Sequence, residues 1–157
     1  MDLEPEEIFS MYLKLYEDNW CLYDDVLDTL NKLTNQGYKM GIISNGNLKQ
    51  QLEKLEKTNI LKYMIDVIAS SEYEFSKPDP RIFEESCKKN NISYEDMCYI
   101  GNDYEKDIIP CLNLGIKAIW LNRDNQKRIV LSEEITTLEE LNIQELYKKI
   151  NILKINI

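Results

Sequence analysis

Four short apolar runs, at residues 38–43, 65–69, 97–100 and 116–121, each stop at a polar or glycine-containing segment and give way downstream to a helical pattern. A parallel strand pair needs a crossover long enough to hold a helix, so this alternation predicts a parallel sheet covered by helices on both faces. Two amphipathic patterns come before the first run. One opens at Pro5 and carries Ile8, Phe9, Tyr12, Leu15 and Tyr16; the other carries Val26, Leu27, Leu30 and Leu33 and stops at Gly37. After the first run, Leu48, Leu52 and Leu55 share a helix face. Asp79 and Pro80 read as N-cap and first residue of a helix through Ile82, Phe83 and Cys87, and residues 104–114 read as a helix ended by Gly115. Thr137-Leu-Glu-Glu140 has the form of a capping box, predicting a helix through Leu141 and Leu146 to about Ile150. The tail at 151–157, NILKINI, suits a frayed end, a helix extension or an extra strand.

With 157 residues, 43% of them hydrophobic, and no repeat, glycine/serine linker or composition shift, one domain with a sizeable core is expected. Twenty-eight acidic against nineteen basic residues give a net charge of −9, which repels nucleic acid and anionic membrane surfaces alike. Histidine is absent, which excludes histidine-based triads, histidine-ligated zinc and phosphohistidine chemistry. Any catalysis therefore runs on carboxylates, lysine, hydroxyls or thiols. Cys21, Cys87, Cys98 and Cys111 form no C-x-x-C pair and are expected to be reduced, buried small hydrophobes. The acidic N-terminus resembles neither a signal nor a transit peptide, and no apolar run approaches the roughly 20 residues of a membrane span. A cytoplasmic protein is the expectation.

In an open parallel sheet, ligands gather at the carboxyl ends of the strands, where loops leave and helix N-termini point. Three polar clusters sit at such ends: IISNG at 42–46 with the Ser44 hydroxyl, SKPDP at 76–80 with Lys77, and YIGNDYEKDI at 99–108 with Asn102, Asp103 and Asp107. Taken singly, each has an ordinary structural use as a helix cap, a solvated charge or helix-start carboxylates. Together a hydroxyl, an ammonium and a carboxylate cluster at neighbouring strand ends suit a phosphoryl group held beside Mg²⁺.

On these three motifs the chain resembles the haloacid dehalogenase-like superfamily, in its phosphoglycolate-phosphatase and dehalogenase-type branch, over nearly its whole length. The resemblance implies a Rossmann-like three-layer α/β core and a hydrolase acting on small phosphorylated metabolites with Mg²⁺. It implies that Ser44, with Asn45 and Gly46, binds phosphoryl oxygens, that Lys77 offsets negative charge, and that Asn102, Asp103 and Asp107 supply the metal side of the site. By the same resemblance, residues 1–20 match the last helix of a helical cap, 21–150 the core, and 151–157 an apolar tail.

Two departures stand out. The family's nucleophile is the first aspartate of an Asp-x-Asp motif on the central strand, and these residues contain none. Asp25-Val-Leu-Asp28 has the wrong spacing and lies in a helix pattern, where solvated carboxylates are expected. The second departure is Asn102, which stands where the family commonly has aspartate, so either Asn102 or Asp103 is the first metal ligand and Mg²⁺ affinity should be lower. The chain alone is therefore expected to be inactive; the alternative is a non-catalytic scaffold that acts through a partner, a complementing chain or self-association. The missing first strand also leaves a slot between the strands at 38–43 and 97–101. Unpaired buried backbone groups cost about 1–3 kcal/mol each, so these strands must pair directly, or the tail or another chain must fill the slot.

Overall fold

The computed structural model describes residues 4–146, 150 and 152–155. Six strands form one sheet in the order β2-β1-β6-β3-β4-β5, and every neighbouring pair is parallel. The strands are β1 (Lys39–Ser44), β2 (Met64–Ala69), β3 (Met97–Gly101), β4 (Lys117–Leu121), β5 (Glu133–Ile135) and β6 (Ile152–Ile155). The helices are α1 (Pro5–Asp18), α2 (Asp25–Asn35), α3 (Leu48–Lys57), α4 (Arg81–Asn90), α5 (Ile109–Leu114) and α6 (Ile143–Leu146).

Two apolar clusters sandwich the sheet, as side-chain alternation along its strands requires. Met40, Ile42, Cys98, Ile100, Leu153 and Ile155 face α2, α3 and the segment around Leu138, Leu141 and Leu146. On the opposite face Ile43, Ile68, Met97, Tyr99 and Trp120 meet Ile82 and Phe83 of α4 and Cys111 of α5. The three-layer architecture is the one the alternation predicts.

The slot is filled from within the chain. β6 lies between β1 and β3, with Lys154 opposite both Gly41 and Tyr99. Leu153 and Ile155 are buried on one face; Lys154, on the other, is fully buried as well. Its ammonium pairs with Asp66 of β2, whose other carboxylate oxygen accepts from Asn90 Nδ2 at 2.9 Å. Gly41 lies between Lys154 and Asp66 in the sheet, and any Cβ there would overlap both side chains. The glycine is thus the corridor through which the lysine crosses β1. Burial pulls the Lys154 ammonium below the usual lysine range, and the nearby Asp66 carboxylate only partly offsets that.

Several local expectations are corrected. Residues 104–114 do not form one regular helix: 104–108 make a π turn before α5, with the Ile109 N–H reaching the Tyr104 carbonyl. Pro110 has no N–H to continue the regular ladder, which favours the wider turn. α4 begins at Arg81 with Pro80 as its cap residue, while the Asp79 carboxylate accepts from the Arg81 N–H at 3.0 Å. No capping box forms at Thr137. Glu140 instead accepts from the Thr136 hydroxyl at 2.5 Å, and the chain makes a 3₁₀ turn at Leu138–Glu140 before the short α6. The rest of the expected helix, at 147–149, lies outside the described residues, as do 1–3, 151, 156 and 157. The short edge strand β5 carries Glu133 and Glu134, so its polar sequence hid it.

Two burial expectations also fail. Cys21 is exposed, unlike the other three cysteines. Asp25 is buried and forms a two-pronged ion pair with Arg123, at 2.8 and 2.9 Å, while accepting from the Leu138 N–H at 2.8 Å. Burial alone would raise its pKa, but the Arg123 guanidinium and the Leu138 N–H hold it below the ordinary carboxylate value. Asp28 is exposed, as expected of a helix-start carboxylate. Among the described residues, no helix is long and apolar enough to cross a membrane.

Candidate active site

At the carboxyl ends of β1 and β3 an ammonium is held inside the protein. Lys77 is 5% exposed, and its Nζ donates to Asp107 Oδ1 at 2.7 Å, Tyr99 Oη at 3.0 Å and the Ile43 carbonyl at 3.2 Å. A lysine ammonium has three hydrogens, and three acceptors surround this one. Lys77 thus contributes a fixed positive charge rather than a swinging hydrogen-bond donor.

The loop that carries Lys77 is set by Asn45. The Asn45 side chain donates to the Lys77 carbonyl and accepts from its N–H, both at 2.8 Å. This two-way clasp mimics a strand pairing and joins the ends of β1 and the 76–80 loop. The Gly46 N–H, in turn, donates to Ser70 Oγ at 2.9 Å. Of the three residues expected to bind phosphoryl oxygens, Asn45 and Gly46 thus hold the surrounding loops. Among the described residues Ser44 Oγ, half-buried, makes only a long 3.4 Å contact to the Asn45 carbonyl, leaving the hydroxyl able to turn toward a ligand.

Asp107 is fully buried. Its Oδ1 faces Lys77 and, at 3.3 Å, the Tyr99 hydroxyl; its Oδ2 accepts from the Asp103 N–H at 3.1 Å. The carboxylate packs so closely on β3 that a Cβ on Gly101 would overlap it, which explains the glycine at that strand end. Asp103 is half-buried and caps the π turn by accepting from the Lys106 N–H at 3.0 Å, with the Lys106 ammonium 3.2 Å from its other oxygen. Burial works against its ionisation, but these Lys106 contacts bring its pKa below the ordinary value. Asn102 is exposed, and its carbonyl accepts from Trp120 Nε1 at 3.0 Å.

Ser44, Lys77 and Asp107 are therefore brought to one end of the sheet, and Asn102 and Asp103 lie beside them at the end of β3. Among the described residues, no group of three or more Asp, Glu, Cys or His is placed to hold a metal ion. Asn102, exposed, and Asp103, half-buried, carry the more accessible side-chain oxygens at this end of β3. Hard oxygen ligands of this kind suit Mg²⁺, which keeps several waters when protein donors are few.

Tyr99 is the member of this cluster that sequence reasoning missed. Its ring packs edge-on against Phe83, with centroids 5.1 Å apart and planes at 86°. Burial and the Asp107 carboxylate push its hydroxyl well above the ordinary tyrosine range, so it stays an O–H. In the sequence it is one more apolar residue of a strand. Beside Asn102 lies a cavity of about 150 Å³ lined in part by Tyr23, Val26, Leu121, Arg123 and Leu138. The charge of Arg123 is already spent on Asp25, and its guanidinium sits 4.1 Å from the Tyr23 ring centroid.

The sequence profile of the family described as haloacid dehalogenase-like hydrolase matches residues 4–121. A glyceraldehyde 3-phosphate phosphatase of Methanothermobacter thermautotrophicus is 32% identical over 130 residues, covering 76% of this chain and 58% of that protein. The protein of the same name from Methanocaldococcus jannaschii is 31% identical over 123 residues, covering 76% and 54%. The solved structure of a HAD phosphatase from Thermococcus onnurineus superposes with a TM-score of 0.77 at 28% identity, over 97% of this chain and 68% of that one. The chain thus spans little more than half the length of these two curated relatives.

Proposed function

Because this chain belongs to the haloacid dehalogenase-like hydrolase family, we propose that it is the core portion of a Mg²⁺-dependent phosphatase of small phosphorylated metabolites. The observation that carries the reading is the buried Lys77–Asp107 pair at 2.7 Å, seated at the strand ends next to the Ser44 hydroxyl. In this reading Ser44 donates to a phosphoryl oxygen, and the fixed charge of Lys77 lowers the energy of the added anion. Asp107 holds the ammonium in place. Asn102 and Asp103 would hold Mg²⁺, which when bound neutralises phosphoryl oxygens as a Lewis acid. The small cavity beside Asn102 suits a small organic group.

These residues supply no Asp-x-Asp nucleophile, and β6 brings Ile152, Leu153, Lys154 and Ile155 to the central position instead. The expected result is a chain that binds orthophosphate in the presence of Mg²⁺ but releases none from small phosphoesters such as glyceraldehyde 3-phosphate. Calorimetric titration should show phosphate affinity falling roughly tenfold in Ser44→Ala, the loss of one hydrogen bond to an anion. Absence of Mg²⁺-dependent phosphate binding would remove the site reading. Turnover abolished by Lys77→Ala would overturn the expected inactivity.

A second reading, a non-catalytic binding module, is favoured by α1. Ile8, Phe9, Met11, Tyr12, Leu15 and Tyr16 are each at least half exposed, and none of the helix's residues is buried. Glu4, Glu6, Glu7, Glu17 and Asp18 flank this face. Such a surface fits an apolar partner segment edged with basic residues. Binding of a basic amphipathic peptide, weakened by salt and by Leu15→Asp, is the expected result; no binding by fluorescence anisotropy at low ionic strength removes this reading.

A further inference from the structure

We propose that Tyr99 is a positioning residue for the active-site ammonium, its hydroxyl fixing Lys77 Nζ between Asp107 and the Ile43 carbonyl. The inference rests on the phosphatase reading for its functional meaning, while its geometry stands independently. Tyr99 Oη lies 3.0 Å from Lys77 Nζ and 3.3 Å from both Asp107 Oδ1 and the Ile43 carbonyl. It therefore touches every other group that touches the ammonium. One phenolic oxygen accepts from Lys77, and its single hydrogen is shared between two acceptors at equal distance.

Without that oxygen, the ammonium has two acceptors for three hydrogens, and its third N–H faces a buried apolar surface. A buried donor left unpaired is costly, so Nζ would shift toward Asp107 or admit water. Either change moves the charge that the phosphoryl group is meant to meet. A core tyrosine whose hydroxyl served only its own burial would need a single partner, whereas this hydroxyl meets a backbone carbonyl, a carboxylate and an ammonium together. This one is at the sheet's interior, and its ring is locked by the Phe83 edge contact and lies 5.7 Å from the same ammonium. Across the sheet Tyr99 pairs with Lys154 on β6 and with Ala118 on β4, whose side chains, an ammonium and a methyl group, offer no acceptor to replace the hydroxyl.

The test is Tyr99→Phe, which keeps the ring and removes only the oxygen. In the intact chain, nitrogen-15 NMR is expected to show a slowly exchanging Lys77 ammonium signal, assigned by its loss in Lys77→Met. In Tyr99→Phe that signal should exchange roughly tenfold faster or disappear, while the backbone amide spectrum of the sheet is retained. Phosphate affinity in the presence of Mg²⁺ should fall several-fold. An unchanged Lys77 signal in a folded Tyr99→Phe protein overturns the proposal. Should that variant not fold, incorporation of 3-fluorotyrosine changes the acidity of the phenol at nearly constant volume. A shift of the Lys77 ammonium resonance then supports the proposal, and none overturns it. Failure of the phosphatase reading is seen separately, as absence of phosphate binding by the unsubstituted chain.

Discussion

Lys154→Ala is expected to remove about 3–5 kcal/mol of stability, because it leaves the largely buried Asp66 carboxylate of the edge strand β2 without its cation. Side-chain exposure is 0% for Lys154 and 4% for Asp66, so water cannot substitute. Domains of ordinary stability have about 5–15 kcal/mol in total, and a loss of this size lowers the melting temperature of a chain this long by on the order of 10 °C. The damage should be local as well as global. Hydrogen exchange is expected to accelerate in β1 and β3, the strands that β6 bridges. Replacing both partners, as Lys154→Met with Asp66→Leu, should restore most of the loss, since apolar groups of similar volume need no counter-charge. Loss below about 1 kcal/mol in Lys154→Ala, read by denaturant unfolding, would show that the pair does not anchor the central strand.

The second large effect concerns Lys77 and Asp107, whose side chains are 4% and 0% exposed. Lys77→Met strands a buried carboxylate, and Asp107→Asn strands a buried ammonium; each is expected to cost about 3–5 kcal/mol. The double variant should lose less than the sum of the two, by roughly 1–3 kcal/mol, because the second substitution removes a charge the first left unpaired. Strict additivity in a denaturant double-mutant cycle would show that the two do not act as a unit. Phosphate binding should be lost in all three proteins. Pairs such as Lys49 with Glu53, at 86% and 48% exposure, stand in contrast and are worth at most about 1 kcal/mol.

Much of the architecture was legible because burial on both faces writes each parallel strand as an apolar run, and helices write themselves in a different period. The gathering of Ser44, Lys77 and Asp107 at one end of the sheet was legible for a similar reason: polar clusters that follow such runs stand out. Their division of labour was not. A carboxylate that grips a lysine and one that grips a metal are the same letter at the same place. The buried pair of Asp107 with Lys77 emerges only when the chains around them are laid side by side. Asp25 looked like a solvated helix start because Arg123, its partner, is 98 residues away. The tail was open to three conformations, and nothing in its sequence marks Lys154 as buried; β6 is covered on both sides, and only the absence of a side chain at Gly41 gives its ammonium a route to Asp66. Tyr99 was hidden by its own ring, which satisfies the apolar pattern and conceals the contact of its hydroxyl with Lys77.

The place of β6 in the sheet has a consequence for how the molecule assembles. β1 with β2, and β3 with β4, are each joined by short crossovers and can pair early, as two separate halves. The strand that unites them comes from the far end of the chain, and its lysine must find an aspartate 88 residues away. Closing so long a loop costs entropy before any contact repays it, so the middle of the sheet is expected to be the last part to gain from folding. This topology predicts a sheet built from its flanks inward, with the pairing of the buried Lys154 charge as its expected closing event.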